Sequence, residues 1–275
     1  MGFLNKFYDQ KRDETYNFHK PENFNTDINF SIGIVTFEKR YNNFFKPLLK
    51  SIKSFLPKIE IIVFVNGNLN NPFNDEYRKE ILNYCASFEN VFPHVCTEFR
   101  SLSKLWNNIL IFSSNDQCLI LNDDVTLTQK FFENLSYINK INEYNSFTIN
   151  KTWSHVMINR RQIAEVGWFD ERLLAIGEED GDMQYRFEKM FDKKFPNYNI
   201  EGAVNHVSEV VDKNFRKHSQ TKYASFNREF INKKYIIDYE NGLKLGMNEL
   251  PVTQVIENSV QYEYEPFYWD HKNDL

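Results

Sequence analysis

In Gln117-Cys118-Leu119-Ile120-Leu121-Asn122-Asp123-Asp124 a short apolar run ends abruptly in three polar residues. Such a run is too short for a buried helix and has the character of a strand covered on both faces. Two upstream stretches read the same way: Phe30-Ser-Ile-Gly-Ile-Val-Thr36, rich in β-branched residues, and Glu60-Ile-Ile-Val-Phe-Val65, which ends in the turn-forming Asn66-Gly67-Asn68. Helical spacing separates them. Phe44, Phe45, Leu48, Leu49, Ile52 and Phe55 recur on one face before Pro57, and helices are expected over about 75–88 and 102–113. Strands alternating with helical crossovers predict an α/β fold with a mostly parallel central sheet flanked by helices. Ligands of such sheets bind at the carboxyl ends of the strands, which here carry 36–40 and 122–124.

Downstream, helices are expected over 131–141 and 161–166, the latter closed by Gly167, with one strand over 148–158 between them and a short extended piece over 200–205. Residues 1–28 read as an irregular N-terminal arm, 29–210 as the main domain and 211–275 as a helical and irregular C-terminal extension.

The chain has 275 residues and a formal charge of −5, which argues against a protein that coats nucleic acid. Its 26 Phe, 15 Tyr and 34 Asn beside 9 Gly reflect AT-rich codons more simply than a ligand-binding bias. Three cysteines without CxxC spacing make neither a disulfide framework nor a structural zinc site. No apolar stretch approaches the ~20 residues of a membrane span or the length of a signal peptide's apolar core, so a cytoplasmic protein is expected, with the inner membrane face as a place of work. The basic, aromatic segment 212–244 suits either an anionic bilayer or, more simply, a helix packed on the domain.

Chemistry concentrates in two acidic stretches. Asp123 and Asp124 leave a strand at the ligand-binding edge, where hard oxygen donors suit Mg²⁺ or Mn²⁺. Glu178-Glu179-Asp180-Gly181-Asp182 sets four carboxylates within five residues. Adjacent acids raise one another's pKa, which calls for a cation, a helix N-terminus or a proton-transfer role in compensation. Arg40, Lys104, Arg160 and Arg186 are candidate diphosphate partners. His155 is either a packed histidine or one that faces an acceptor.

The order of these pieces resembles the inverting family-2 glycosyltransferases of the GT-A fold, and within them the rhamnosyl- and galactofuranosyltransferase-like enzymes of bacterial surface polysaccharides. The resemblance covers about 30–210. It rests on Thr36-Phe-Glu-Lys-Arg40, Asn66-Gly67, Leu105-Trp-Asn-Asn108, Leu121-Asn-Asp-Asp-Val125, Gly167-Trp-Phe-Asp-Glu171, Glu179-Asp-Gly-Asp-Met-Gln-Tyr-Arg186 and His206. It implies that Asp124, with Asp123 beside it, and His206 hold Mn²⁺ or Mg²⁺ under the diphosphate of a nucleotide-sugar donor, and that Asp180 is the general base. Thr36 and Asn66 fall where the family contacts the nucleoside; Phe37, Arg40, Lys104 and Arg186 complete the donor side, Arg186 by orienting the acidic loop. Trp153, His155 and Glu179 are expected on the side of a glycan or lipid-linked acceptor. Asn122 stands where the family's cation motif has its first Asp, and Val65 where many members have an Asp that reads uracil. A metal-dependent nucleotidyltransferase or phosphohydrolase, or a non-catalytic carbohydrate-binding protein, are the competing readings of the same acids.

Overall fold

The computed structural model describes residues 28–68, 71–141, 145–205 and 224–234. The expected α/β class holds. Strands β1 (Ser31–Thr36), β2 (Ile61–Val65), β3 (Val91–Val95), β4 (Gln117–Asn122), β6 (Phe147–Ile149), β7 (Thr152–Asn159) and β8 (Asn197–Tyr198) form a seven-stranded sheet in the order β3-β2-β1-β4-β7-β6-β8. The pairs β1/β2, β1/β4, β2/β3 and β6/β8 are parallel, and β4/β7 and β6/β7 antiparallel. A two-stranded annex pairs β5 (Val125–Leu127) with β9 (Ala203–Asn205).

Every residue of β2 is buried, which explains its unbroken apolar sequence: helices cover both faces. One core gathers Ile32, Ile34, Leu119 and Leu121 under the helical run of α1 (Glu38–Arg40), a π-helical turn (Tyr41–Phe45) and α2 (Lys46–Phe55), joined by α3 (Asp75–Ala86). The opposite core sets Ile62, Ile120, Val156 and Ile158 against α4 (Leu102–Phe112), α7 (Arg160–Val166) and α8 (Glu179–Phe191). The three cysteines are free, and among the described residues no helix is long and apolar enough to cross a membrane.

Two expected elements divide. The single strand over 148–158 is a hairpin, because Asn150 and Lys151 both take positive φ (55° and 59°), the geometry of a tight hairpin turn. The helix over 131–141 is α5 (Gln129–Glu133) followed by α6 (Leu135–Ile141), interrupted at Asn134, whose side chain donates back to the Lys130 carbonyl. Of the expected arm and extension, residues 1–27, 206–223 and 235–275 lie outside the described residues. The part of the extension that is described, α9 (Ala224–Lys234), packs on the loop before α8 through Asn227 and Lys234, with Ile231 buried between them, so Lys234 is buried rather than solvated. Its buried stripe lies one residue round from Phe226 and Phe230, which are half-buried.

Candidate active site

The strand order turns back between β1 and β4: β2 and β3 extend the sheet on one side of this pair, β7 and its neighbours on the other. Loops leaving the carboxyl ends of two such strands part and leave a crevice. Thr36 ends β1, and Asp123 and Asp124 follow β4 directly across it, since Val35 pairs with Asn122. Here Arg40, at the start of the π-helical turn, places Nε 2.8 Å from Asp123 Oδ1 and Nη2 2.7 Å from Asp124 Oδ2. Irregular turns of this kind often aim a functional side chain. The guanidinium also lies over the Phe44 ring, 5.3 Å from its centroid.

Asp123 is 2% exposed and Asp124 5%. Burial pushes the Asp123 carboxyl up and Asp124 adds to the rise, while Arg40 and the Thr36 hydroxyl pull it down; the outcome is a pKa of about 7. One guanidinium therefore compensates two desolvated carboxylates incompletely. Buried, hard oxygen donors with a remaining demand for positive charge fit Mg²⁺ or Mn²⁺ that shares its other positions with phosphate oxygens. Among the described residues no set of three acid, His or Cys ligands gathers. His206 lies outside the described residues; the chain reaches Asn205 paired with Val125, the neighbour of Asp124. Replacing Arg40 by Met is expected to cost about 1–3 kcal/mol of stability without added cation, since proton uptake by Asp123 relieves part of the loss. Melting curves with and without Mn²⁺ test this: the deficit shrinks with Mn²⁺ if the carboxylates bind it, and persists if they do not.

The second acidic turn reaches the same edge through α4. Asn66, after β2, uses its amide on the backbone of Arg100, accepting from Arg100 N at 2.8 Å and donating to Arg100 O at 2.9 Å. A Cβ on Gly67 would sit 2.3 Å from the Glu98 carbonyl carbon, so glycine permits the close approach. These contacts fix the N-terminal end of α4 at the carboxyl edge. From there Leu102 N donates to Ala175 O at 2.8 Å, while Asn107 accepts from Phe169 N at 3.0 Å and donates to Phe169 O at 2.9 Å. Trp153, at the start of β7, joins Trp106 and Phe169 in an aromatic cluster with centroids 5.0–6.5 Å apart.

The loop so held is strained. Trp168, Ala175 and Glu178 have positive φ (64°, 49° and 73°), beside Gly167 and Gly177. Each non-glycine residue in that region costs about 1–3 kcal/mol, and such strain gathers where geometry serves function. The loop ends in Glu179 and Asp180, the first residues of α8. Glu179 accepts from Gly177 N, and Asp180 Oδ1 from Gly181 N at 2.8 Å. Burial and the neighbouring Asp180 push the Glu179 carboxyl up to about 8; burial also raises Asp180, against the pull of the Gly181 amide. The two titrate as a pair. Because folding raises the Glu179 pKa from its ordinary 4.5 to about 8, the folded protein keeps a proton there that the unfolded chain gives up. Its contribution to stability is whole below about pH 4.5 and is lost as the pH rises toward 8, with Asp123 adding to the same slope. Urea denaturation from pH 5 to 8.5 reads this decline, and Glu179→Gln is expected to flatten it.

The other expected site residues are placed as follows. Arg186 is buried, with Nε 2.9 Å and Nη2 2.8 Å from Asp182 Oδ2, and donates to the carbonyls of Val166 and Trp168. It ties α8 to the strained loop, which fits orienting that loop rather than touching a diphosphate. Asn66 likewise spends its amide on Arg100 rather than on the cleft. His155 is buried opposite Leu121, with Nδ1 3.1 Å from Ser154 Oγ, and burial lowers its pKa to about 4, so it is a packed, neutral histidine rather than one facing an acceptor. Lys104 Nζ lies 4.0 Å from Glu171 at the rim, and half-buried Phe37 precedes α1 within reach of Arg40. Arg160 pairs with Asp116 at the opposite, amino edge of the sheet and takes no part in the cleft. Sequence reasoning held Asn107 and Asp170 only within motifs, without a role, and missed Asn227 and Lys234. The visible signal was a lysine at seven-residue spacing from Asn227, on the same helical face as Ile231.

No family model and no curated protein matches the chain. Among solved structures it is similar to S. aureus TarS, at 13% identity over 81% of this chain and 46% of that one, TM-score 0.48. It is similar to GalNAc-T7, solved with UDP, GalNAc and Mn²⁺, at 12% identity over 87% and 61% of the two chains, TM-score 0.49. A third is the mannosyltransferase PcManGT from Pyrobaculum calidifontis in complex with GDP-Man and Mn²⁺, at 11% identity over 70% and 61%, TM-score 0.48. The chain spans about half the length of the first and about three-fifths of the other two.

Proposed function

We propose that the chain is an inverting glycosyltransferase of the GT-A type. It moves a hexosyl or deoxyhexosyl group from a nucleotide-sugar donor to a hydroxyl of a glycan or lipid-linked acceptor, in the synthesis of bacterial surface polysaccharide on the cytoplasmic side of the membrane. The observation that carries the reading is the desolvated pair Asp123 and Asp124, directly after β4 at the carboxyl edge of the sheet and matched to the Arg40 guanidinium; the second acidic turn, Glu179-Asp180, follows a strained loop bonded to the N-terminal end of α4.

The residues divide the work. Asp124, with Asp123 beside it and His206 as the further ligand, would hold Mn²⁺ or Mg²⁺, which when bound neutralises charge on the leaving nucleoside diphosphate. Arg40 offers a guanidinium suited to phosphate oxygens once it is drawn from the two aspartates. Asp180 takes the proton from the acceptor hydroxyl as that oxygen attacks the anomeric carbon from the side opposite the diphosphate. Burial raises its proton affinity above the ordinary carboxylate value, the direction a general base needs. Glu179 and Trp153 line the acceptor side, and Thr36, Phe37 and Lys104 the donor side.

Two measurements test the reading. A thermal-shift panel of nucleotide sugars with and without Mn²⁺ identifies the donor, because a ligand of the folded state raises apparent stability by mass action. Product analysis then decides the chemistry: nucleoside diphosphate released only when acceptor is present supports glycosyl transfer, and release of pyrophosphate replaces it with nucleotidyl transfer.

A further inference from the structure

We infer that α9 is a clasp that sets the position of the proposed base, and that Asn227 and Lys234 are positioning residues for Asp180. The inference rests on the glycosyltransferase reading for what Asp180 does, and on the contacts alone for how its loop is held.

Asn227 is fully buried, and its amide reads the loop backbone on both sides of Ala175. Oδ1 accepts from Leu174 N at 2.8 Å, while Nδ2 donates to Leu174 O and Gly177 O, each at 2.8 Å. Ala175 itself, at φ 49°, is held from the other side by Leu102 N of α4. The loop is thus pinned between two helices, just before Glu178, at φ 73°, turns the chain into α8. A backbone conformation unfavourable in itself persists only while its surroundings over-determine it, and Asn227 supplies three of the bonds that do so. Lys234, two helical turns further along the same face, has a side chain 1% exposed. Its Nζ lies 2.7 Å from Asp170 Oδ2 and 2.5 Å from Asp182 Oδ1. One ammonium therefore joins the two ends of the segment 170–182 that carries Asp180. Arg172 closes the group, paired with Asp170 and lying over the Phe230 ring of α9 at 4.8 Å.

The experiment compares wild type with Asn227→Ala, Asn227→Ser, Lys234→Met and Lys234→Arg, measuring amide hydrogen exchange and steady-state kinetics in the Mn²⁺-supplemented protein. Asn227→Ala removes all three loop bonds, whereas Asn227→Ser adds no charge and leaves a hydroxyl that cannot make all three, a gentler change that remains informative if the first variant folds poorly. The expected result is exchange about tenfold faster or more at amides 173–181, with β1, β2 and β4 still protected. Turnover falls about 10²-fold, as small misplacements of a reacting group do, and the donor KM stays within about twofold. Lys234→Arg recovers most of the turnover that Lys234→Met loses. Unchanged exchange over 173–181 in both Asn227 variants overturns the clasp. Faster exchange with undiminished turnover overturns the positioning role, as does failure of Lys234→Arg to recover more than Lys234→Met. A wild-type protein that transfers no sugar refutes the proposed function instead, and the exchange data still decide whether α9 holds the loop.

Discussion

Replacing Asp180 by Asn is expected to lower turnover by about 10²–10⁴ while donor binding survives, the usual cost of losing a positioned general base. The substitution keeps the side chain's size and an oxygen that accepts from Gly181 N, so the start of α8 and the strained turn before it have no reason to move. What disappears is the capacity to take a proton. Burial holds the Asp180 carboxyl above its ordinary range and so favours proton uptake, which Asn cannot perform. In the proposed function donor affinity rests on the other acidic turn, at Asp123, Asp124 and Arg40, and should be unaffected. Calorimetric donor titration beside initial-rate kinetics separates the two effects. Wild-type turnover in the variant would remove Asp180 from the base role, and loss of donor binding would make it part of the donor site.

The second large effect is one of stability. Replacing Asp182 by Ala is expected to cost about 3–5 kcal/mol, because it leaves buried cations without their partner. Asp182 is fully buried and accepts from Arg186 through two nitrogens and from Lys234. Burial works to raise its pKa, yet Arg186 and Lys234 outweigh burial and hold it below the ordinary carboxylate value, so the folded protein keeps it charged. The sign is therefore opposite to that of Glu179. The stability Asp182 adds is present above the pKa of the unfolded chain and is lost as the pH falls through its lower folded value. Urea denaturation at pH 7 measures the difference; a change under about 1 kcal/mol would mean that Lys234 and Arg186 find compensation elsewhere.

The strands that build the cleft were legible because they are buried on both faces. The runs ending in Thr36, Val65 and Asn122 need no tertiary information to be read as central strands, and the acids just after β4 fall at the sheet's ligand edge by direction alone. The hairpin at Asn150-Lys151 was not legible, since its turn lacks the Asn-Gly or Asp-Gly that usually announces positive φ. Nor were the pairings that complete the site. Arg40 meets its aspartates 83 and 84 residues later, and Lys234 meets Asp182 and Asp170 at separations of 52 and 64 residues. Contacts of that range leave no local period or spacing. For the same reason Asn66 and Arg186 read as plausible ligand contacts: their partners, the Arg100 backbone and the Val166 and Trp168 carbonyls, lie 34, 20 and 18 residues away.

In the proposed function the acids after β4 and at the start of α8 face one nucleotide-sugar site. Anomalous diffraction from crystals soaked with Mn²⁺ and a nucleoside diphosphate tests this arrangement. A manganese peak is expected within coordination distance of an Asp124 oxygen, with the diphosphate beside it and Asp180 facing the space where the sugar would lie. A peak elsewhere, or none while Arg40 still grips both aspartates and the diphosphate binds away from them, would contradict it.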